Sequence, residues 1–171
     1  MGRDVQRWDV LACKKRGADI GKTKRGKGIK LMVVADGRGV PLGVRIAPAP
    51  PAEVTLIEST LGQVAVPRSG PGRPRMKPRR LIYDNAADSD ALRMRLKKRG
   101  IELICPHRPN RKRPALQDGR SLRRYRRRWT IERTVAWLGN FRRLVVRYER
   151  KSKMFLAFLK VACLMITLRQ F

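Results

Sequence analysis

Three residues in the C-terminal third of the chain, Tyr125, Arg128 and Glu132, have spacings that allow them to act together. Intervals of three and four residues place them on one stripe of a helix that turns every 3.6 residues. Glu132 is a carboxylate in basic surroundings, because six of the nine residues from Arg120 to Arg128 are arginine. Such a carboxylate either forms an ion pair, for example with Arg128 one turn earlier, or binds a metal ion.

A second acid, Asp84, directly follows an apolar run at 81–83. An amphipathic helix pattern at 88–99 and a second apolar run at 101–104 then predict a strand, a helix and a parallel strand. Carboxyl ends of parallel strands face a common crevice, so we expect Asp84 to lie in one that Glu132 reaches from its helix. Two carboxylates under a basic surface suit Mg²⁺. Two such ions could assist in-line displacement at a phosphodiester.

The charge of the chain indicates its partner. The 171 residues include 42 Lys and Arg against 13 Asp and Glu, a formal net charge of +29. A polyanion such as a nucleic acid relieves this repulsion, and its binding is then salt-dependent. A disordered basic tail is the alternative, but 42% hydrophobic residues supply enough apolar material for a packed core. We therefore expect one folded domain that binds nucleic acid.

The N-terminal half predicts a basic loop and a hairpin. Residues 17–30 are rich in glycine and lysine without a hydrophobic period, which is typical of an exposed loop along a phosphate chain. The cations that we expect to contact phosphate there are Lys22, Lys24, Arg25 and Lys27. Two β-rich runs, 31–35 and 40–46, flank an Asp-Gly turn at Asp36 and predict a hairpin.

The remaining elements are mostly helical. We expect a short helix from Glu53 to about Leu61 and a second one capped by Asp88. The chain should be helical from Tyr125 onward. Trp129 and its apolar neighbours on that helix are expected in the core, with base stacking by an exposed tryptophan as the alternative. The apolar end, from Met154, is too short to cross a bilayer comfortably and predicts a buried terminal helix.

Cysteine and histidine usage indicates neither a disulfide framework nor a metal knuckle. Cys13, Cys105 and Cys163 form no CxxC pair. The single histidine, His107, is better explained as a loop residue than as a metal ligand, because a structural site needs four ligands. The charged first ten residues do not resemble a secretory signal. We therefore expect a cytoplasmic, nucleoid-associated protein.

Several segments together resemble one known family. They are LMVVADGRGVPLGV with the preceding GKTKRGKG, then LIYDNAADSD, the Tyr125, Arg128 and Glu132 spacing, and WTIERTVAWLGNFRRLVVRYER. This pattern resembles the Asp-Asp-Glu (DDE) transposases of bacterial insertion sequences, specifically the insertion-sequence-five-like group. The resemblance implies an RNase H-like α/β domain with a mixed sheet flanked by helices and a helical C-terminus. It also implies a two-metal site for Mg²⁺ or Mn²⁺, which serves to nick transposon ends and join the 3′-hydroxyl to target DNA, and a homodimer.

The resemblance also assigns roles to individual residues. It implies that Asp84 is the second catalytic aspartate and Glu132 the glutamate, both as metal ligands, with Tyr125 and Arg128 as the accompanying DNA-binding pair. The family's first aspartate corresponds to the position of Arg7 here. Asp9 stands two residues further along the predicted strand and could still face the site, so it is the candidate for the third catalytic and metal-binding carboxylate. Further phosphate contacts are expected from Arg142 and Arg143.

The resemblance covers nearly the whole chain. We expect residues 1–171 to form a single catalytic domain, with an incomplete first strand within 1–16 and no N-terminal DNA-binding region, as the product of a truncated or frame-split element would have. Three functions stay open: a metal-dependent DNA transposase, a catalytically defective remnant that only binds nucleic acid, and a basic nuclease of the same fold that cuts without rejoining.

Overall fold

The core of the fold is a mixed β-sheet. The computed structural model describes residues 3–14, 17–23, 26–117 and 119–170, with the backbone alone over 3–9, and within these ranges seven strands form one sheet. The strands are β1 (Arg3–Cys13), β2 (Gly21–Thr23), β3 (Gly26–Ala35), β4 (Pro41–Pro48), β5 (Arg80–Ile82), β6 (Glu102–Ile104) and β7 (Val146–Arg147).

The central strands are β3 and β1, which pair antiparallel over eight residues from Val5↔Ala35 to Ala12↔Gly28. Strands β2 and β4 pair with β3. Strand β5 pairs in parallel with the start of β1, β7 pairs with its end, and β6 continues the sheet in parallel beyond β5. The parallel β5–β6 pair therefore confirms the predicted crossover, with its carboxyl ends at one edge of the sheet.

Helices cover both faces of this sheet. They are α1 (Glu53–Leu61), α2 (Asp90–Lys98), α3 (Gly119–Arg123), α4 (Trp129–Gly139), α5 (Arg142–Val145) and α6 (Ser152–Leu168). Two 3-10 helices, Asn85–Ala87 and Arg124–Arg128, precede α2 and α4. The sequence therefore predicted the fold class correctly, including the helical C-terminus.

Strand β3 shows why the core has two halves. Its alternate residues Leu31 and Val33 pack on one face with side chains of α4 and α6, whereas Met32 and Val34 pack on the other with α1 and α2. Because both faces are covered, the strand is a nearly continuous apolar run instead of an alternating one. This arrangement places α4, which carries Glu132, on one defined face of the central strands.

The predicted hairpin is confirmed as β3 and β4. Asp36 forms the turn, since its Oδ1 accepts hydrogen bonds from the backbone N–H groups of Arg38 at 2.8 Å and Val40 at 2.9 Å. Gly39 closes the turn with φ of 89°. That left-handed conformation favours glycine, because a Cβ would crowd the backbone.

The prediction of one exposed loop over residues 17–30 holds for residues 17–20 but is wrong for residues 21–23 and 26–30. Residues 21–23 and 26–30 are β-strands, and Gly28, Ile29 and Lys30 are buried. Residues 17–30 lack a hydrophobic period because glycines stand among them. Packing between neighbouring strands requires such a small residue. A Cβ at Gly28 would lie 3.0 Å from Cγ1 of Val10 and 3.1 Å from Cγ2 of Thr23.

Three helix predictions need correction. The chain is not helical throughout from Tyr125 onward, because Val146–Arg147 form strand β7 and residues 148–151 are irregular. Ser89, and not Asp88, caps α2, because its Oγ accepts from the N–H of Leu92 while the Asp88 side chain binds elsewhere. The terminal helix α6 is buried on one face only, since Phe155 and Leu159 are fully buried while Leu164 is 57% exposed. Its composition is apolar on both faces, so composition alone could not show which face has a partner. In the described part of the chain, no helix has the length and apolar character needed to cross a membrane.

Candidate active site

Asp84 follows β5 and begins the 3-10 helix Asn85–Ala87. Its Oδ1 accepts a hydrogen bond from the N–H of Ala86 at 2.9 Å, which caps that short helix. Its backbone carbonyl accepts from the Sγ of Cys105, 2.9 Å away at the end of the neighbouring strand β6. The backbone of Asp84 is thus tied to the carboxyl ends of two parallel strands, where a crevice is expected, and its side chain is fixed by the 3-10 helix that follows.

The turn after Asp84 is held from outside by Arg108. Its Nε donates to the carbonyl of Asn85 at 3.1 Å, and its Nη2 donates to that of Ala86 at 3.0 Å. The Asn85 carbonyl also accepts from the N–H of Asp88 at 3.2 Å, and the planar guanidinium bonds both carbonyls at once. Arg108 therefore contributes to the position of Asp84.

Asp88 is the electrostatic centre of the same corner. Its Oδ1 binds Arg93 at 3.1 Å, His107 at 3.0 Å and Arg111 at 3.4 Å, and Oδ2 accepts from the N–H of Arg108 at 3.0 Å. Burial of this side chain acts to raise the pKa of Asp88, but the hydrogen bonds from Arg108, His107 and Arg93 outweigh it and lower the pKa to about 2. Asp88 therefore binds the loop after β6 to α2.

His107 has a defined tautomer in this network. Its Nε2 accepts a hydrogen bond from the backbone N–H of Leu116 at 3.1 Å. The proton of the neutral ring therefore sits on Nδ1, which donates to Asp88. His107 thus connects the two ends of the loop 106–117, which agrees with its prediction as a loop residue.

Glu53 is an acid beside Asp84 that the sequence did not single out. It begins α1, and its Oε2 accepts from the buried Tyr83 hydroxyl at 3.2 Å. Burial raises the pKa of Glu53 to about 7, with the negative charge of Asp84 as the second cause. Only the packing of α1 near the end of β5 brings Glu53 here, so no local spacing could have indicated it.

Tyr125, Arg128 and Glu132 contact one another as their spacing predicts. The guanidinium of Arg128 lies 5.6 Å from the centre of the Tyr125 ring, and its Nη2 is 2.7 Å from Oε1 of Glu132. Tyr125 and Arg128 belong to the 3-10 helix, which continues directly into α4. Both members of the ion pair are more than a third exposed, so the pair contributes little to stability.

Asp84 and Glu132 act on the same group, the hydroxyl of Tyr125. Partial burial raises the pKa of Tyr125; Arg128 opposes this, while the charges of Asp84 and Glu132 reinforce it. Strand β5, which ends two residues before Asp84, also contacts the 3-10 helix Arg124–Arg128 that carries Tyr125. Both acids thus influence the Tyr125 hydroxyl electrostatically, although they are far apart in the sequence.

The backbone register locates the position of the family's first aspartate. Val5 pairs with Ile82 in the parallel β1–β5 ladder, so two residues further along both strands bring Arg7 level with Asp84. Asp9 pairs with Leu31 of β3 and lies two residues beyond that level, roughly 7 Å along the strand. The register thus agrees with the family resemblance, which puts the first aspartate at the position of Arg7. The assignment of Asp9 stays a prediction.

Comparison with known proteins decides the family. Residues 6–167 match the model of the family described as "Transposase DDE domain". The chain belongs to this transposase family. A protein described as a transposase for insertion sequence element IS402 of Burkholderia cepacia is 36% identical over 139 residues. The alignment covers 81% of this chain and 62% of that relative, so the chain spans less than two thirds of its length.

A solved transposase shares the fold. The piggyBac transposase, determined in a synaptic complex with hairpin DNA, superposes with a TM-score of 0.64 at 12% identity over 98% of this chain and 46% of that one. The RNase H-like mixed sheet flanked by helices, which the resemblance implied, is thereby confirmed.

The structure describes some, but not all, of the predicted DNA-binding cations of this DDE transposase domain. Lys22 and Lys27 are exposed and face each other across the β2–β3 pair, while Lys24 and Arg25 lie outside the described residues. Arg142 and Arg143 are exposed on α5, and Arg143 lies 3.6 Å from Glu149.

Part of the metal-ligand set expected at the candidate site can be located in the structure. Among the described side chains, no three His, Cys, Asp or Glu residues are grouped so that they could hold an ion. Asp84 and Glu132 offer carboxylate oxygens, the ligand type that Mg²⁺ prefers. The side chains of residues 3–9, including that of Asp9, are outside the described part of the structure.

The prediction that Trp129 lies in the core is wrong. It is 55% exposed at the start of α4, whereas Ile131 and Leu138 of the same helix are buried. The helical period assigns the inward stripe to Ile131, Thr134 and Leu138, so Trp129 is on another side.

Proposed function

We propose that this chain is the catalytic domain of a DNA transposase, which cleaves and transfers DNA strands with the help of Mg²⁺ or Mn²⁺. The observation that supports the proposal is that the charges of Asp84 and Glu132 both act on the Tyr125 hydroxyl, where the end of β5 contacts the 3-10 helix Arg124–Arg128, beside a strongly basic segment. Family membership supports a role in transposition, and the geometry supports a site for phosphodiester chemistry.

Each residue has a role in this proposal. Asp84 and Glu132 would hold the metal, with Asp9 as the proposed third ligand. When bound, divalent ions activate the attacking oxygen and stabilise the leaving oxygen of a phosphodiester. Arg128 would then exchange its contact with Glu132 for a DNA phosphate, which an exposed ion pair permits at small cost. Tyr125 would support Arg128 through the ring contact.

The partners follow from charge and chemistry. We propose that transposon ends and target DNA lie along the exposed cations of the β2–β3 pair and of α5. Two DNA ends must be held together in transposition, so we also propose a homodimer. We propose that residues 1–171 act as one catalytic domain.

A second candidate function, a remnant that binds nucleic acid without cutting it, is favoured by Arg7. The register puts this residue, and no acid, level with Asp84. A cation at that level would oppose metal binding by Coulomb repulsion.

A cleavage assay tests catalysis. The substrate is a supercoiled plasmid carrying the DNA that flanks the coding segment on both sides, incubated with Mg²⁺ or Mn²⁺. We expect the unaltered chain to nick it, and Glu132→Gln and Asp84→Asn to abolish nicking while DNA binding is retained. Glu58→Gln is the control, because it removes one negative charge from α1. No nicking by the unaltered chain would contradict catalysis and support the remnant. Strand-joining assays separate a transposase from a nuclease.

Two substitutions in β1 further distinguish the catalytic transposase from the remnant that only binds nucleic acid. If Asp9 is the third ligand, Asp9→Asn abolishes nicking and weakens binding of Mn²⁺, measured by electron paramagnetic resonance of the free ion. If the chain is a remnant, Arg7→Asp increases Mn²⁺ affinity, and Asp9→Asn changes nothing.

A further inference from the structure

A strongly basic loop leads from α1 to β5. We call residues 67–79 the arginine–proline loop, because this segment contains five lysines or arginines and four prolines. No aspartate or glutamate stands between Glu58 and Asp84, so the loop has no acidic neighbour in the sequence. A charge so concentrated forms a surface for a polyanion.

The arginine–proline loop is held at its base and open at its tip. Val66 and Arg75 pair in antiparallel fashion, since the N–H of each donates to the carbonyl of the other, at 3.0 Å and 2.8 Å. Beyond this pair, the Nζ of Lys77 donates to the carbonyl of Arg99 at 2.8 Å. Residues 67–77 are all exposed. The tip of the loop, residues 67–74, therefore projects into solvent from a fixed base.

The arginines of the tip are not used in ion pairs within the described part of the protein. Arg68 and Arg73 are exposed, and no described carboxylate forms an ion pair with either of them. By contrast, Arg80 at the start of β5 is bound to Glu102 at 2.8 Å. An outside anion can therefore bind Arg73 without displacing an internal carboxylate.

The shape of the tip indicates which surface of DNA it fits. The minor groove of B-DNA is about 6 Å wide, so an α-helix about 10–12 Å across fits only the wider major groove. Residues 67–74 form neither helix nor strand, and residues 70–74 read Gly-Pro-Gly-Arg-Pro, so Arg73 is their only long side chain. Proline fixes its own φ and favours an extended conformation in the residue before it, here Arg73. A slender chain with one projecting guanidinium is what a narrow groove admits.

An arginine in the minor groove distinguishes between base pairs. Runs of A·T pairs narrow the groove and strengthen its negative potential, which attracts an inserted arginine. A G·C pair adds the N2 amino group of guanine to the groove, a donor that disfavours a second donor group. Arg75 follows Arg73 by two residues, roughly 7 Å along an extended chain, which matches about two base-pair steps. Both arginines can thus follow one groove across neighbouring pairs.

We propose that the tip of the arginine–proline loop binds the minor groove of duplex DNA at A·T-rich sequence, with Arg73 inserted into the groove. The proposal rests on the proposed function for its ligand, DNA, but not on metal-dependent cleavage. The loop enters β5 at its amino end, whereas Asp84 follows the carboxyl end, roughly 10 Å further along the strand. The loop therefore contacts duplex that flanks the candidate site, and it influences where along the DNA the domain binds.

The test compares three duplexes of equal length and equal number of phosphates, whose central pairs are A·T, G·C or inosine·C. Inosine lacks the N2 amino group of guanine, so the inosine duplex combines the minor-groove pattern of A·T with the major-groove edge of G·C. Affinities are measured by fluorescence anisotropy in EDTA at one salt concentration, so that cleavage plays no part. We expect the unaltered chain to bind the A·T and inosine duplexes roughly fivefold or more tightly than the G·C duplex.

Substitutions of Arg73 separate groove insertion from net charge. Arg73→Ala should remove most of the preference. Arg73→Lys keeps the charge but should lose part of the preference, because an ammonium is more strongly hydrated than a guanidinium. Arg127→Ala is the matched control, since it removes another exposed cation, just before α4. It should weaken binding to all three duplexes by the same factor and keep the full preference.

Three outcomes would overturn the proposal: equal binding of the three duplexes by the unaltered chain, a full preference in Arg73→Ala, or an inosine duplex that behaves like the G·C duplex. Binding to none of them would overturn both the loop proposal and the proposed role in DNA transposition. An A·T preference that depends on Arg73 in a chain that does not nick DNA would support the loop and reject only catalysis. Nicking without an A·T preference would reject the loop alone.

Discussion

Glu53 and Asp84 form an acid pair in which one member keeps its proton near neutrality. Burial first, and then the charge of Asp84, raise the pKa of Glu53 from 4.5 to about 7. A raised pKa means that the folded chain holds a proton that the unfolded chain releases at lower pH. The resulting stability is fully present below about pH 4.5 and is lost as the pH rises through about 7.

The first prediction concerns this titration. The free energy of unfolding of the unaltered chain should fall between about pH 5 and about pH 7.5, and Glu53→Gln should flatten that fall because glutamine cannot ionise. Urea denaturation at both pH values measures it. Glu58→Gln, on the same helix, should leave the pH dependence intact. Equal slopes for the unaltered chain and Glu53→Gln would show that Glu53 does not carry the effect.

The second prediction concerns Asp88, whose side chain is 2% exposed and faces the 9% exposed Arg93. Asp88→Asn should lower the free energy of unfolding by about 3–5 kcal/mol, because it leaves a buried guanidinium without its counter-charge. Urea denaturation near neutral pH measures the loss. In the unaltered chain this stabilisation should be lost as the pH falls from about 3.8 through about 2, because the folded pKa of Asp88 is lowered. A loss no larger than that of Asp90→Asn, which removes an outer ion pair, would contradict the central role of Asp88.

At the scale of elements, α4 is docked on the β3–β4 turn. The buried Thr134 hydroxyl donates to the carbonyl of Gly39 at 2.8 Å. A Cβ at Gly39 would lie 3.0 Å from that hydroxyl oxygen and 3.2 Å from Nη2 of Arg133. The turn therefore needs glycine both for its backbone angle and for the approach of the helix that carries Glu132.

The third prediction compares two glycines at this contact. Gly39→Ala should destabilise the chain by about 1–3 kcal/mol, because its φ of 89° is strained for alanine and the neighbours leave no room. Gly139→Ala, at the open end of α4, should be neutral or stabilising by up to about 1 kcal/mol. Thermal unfolding measured by circular dichroism compares them. Equal losses in the two variants would refute the turn's role.

At the scale of the whole molecule, the net charge of +29 governs association with DNA. Each neutralised phosphate releases counterions, so the logarithm of the affinity falls linearly with the logarithm of salt concentration.

The fourth prediction is this salt dependence. Affinity for duplex DNA should fall by roughly 10³-fold or more between about 50 and 200 mM salt if six or more phosphates are contacted. Arg127→Gln, at an exposed cation before α4, should reduce the slope by about one. Arg95→Gln, whose guanidinium is bound to Glu58 at 2.7 Å, should not. Anisotropy titrations at several salt concentrations measure the slopes, and an affinity independent of salt would contradict the electrostatic argument.

Local spacing determined a large part of this protein. The ring contact and ion pair of Tyr125, Arg128 and Glu132, the Asp36 turn and the parallel pair around α2 each depend on residues near one another in the chain, where helix, strand and turn geometry act directly. The family resemblance added the RNase H-like fold, because several separate segments matched the pattern at once.

Only the tertiary structure decided which distant groups meet and which faces are covered. Glu53 acquires its raised pKa from burial and then from the charge of Asp84. Trp129 is exposed because Ile131 and Leu138 occupy the inward stripe of α4. The register of β1 on β5 likewise brings Arg7 level with Asp84. These outcomes depend on burial and on pairing across long stretches of chain, and neither quantity is contained in the spacing of residues along it.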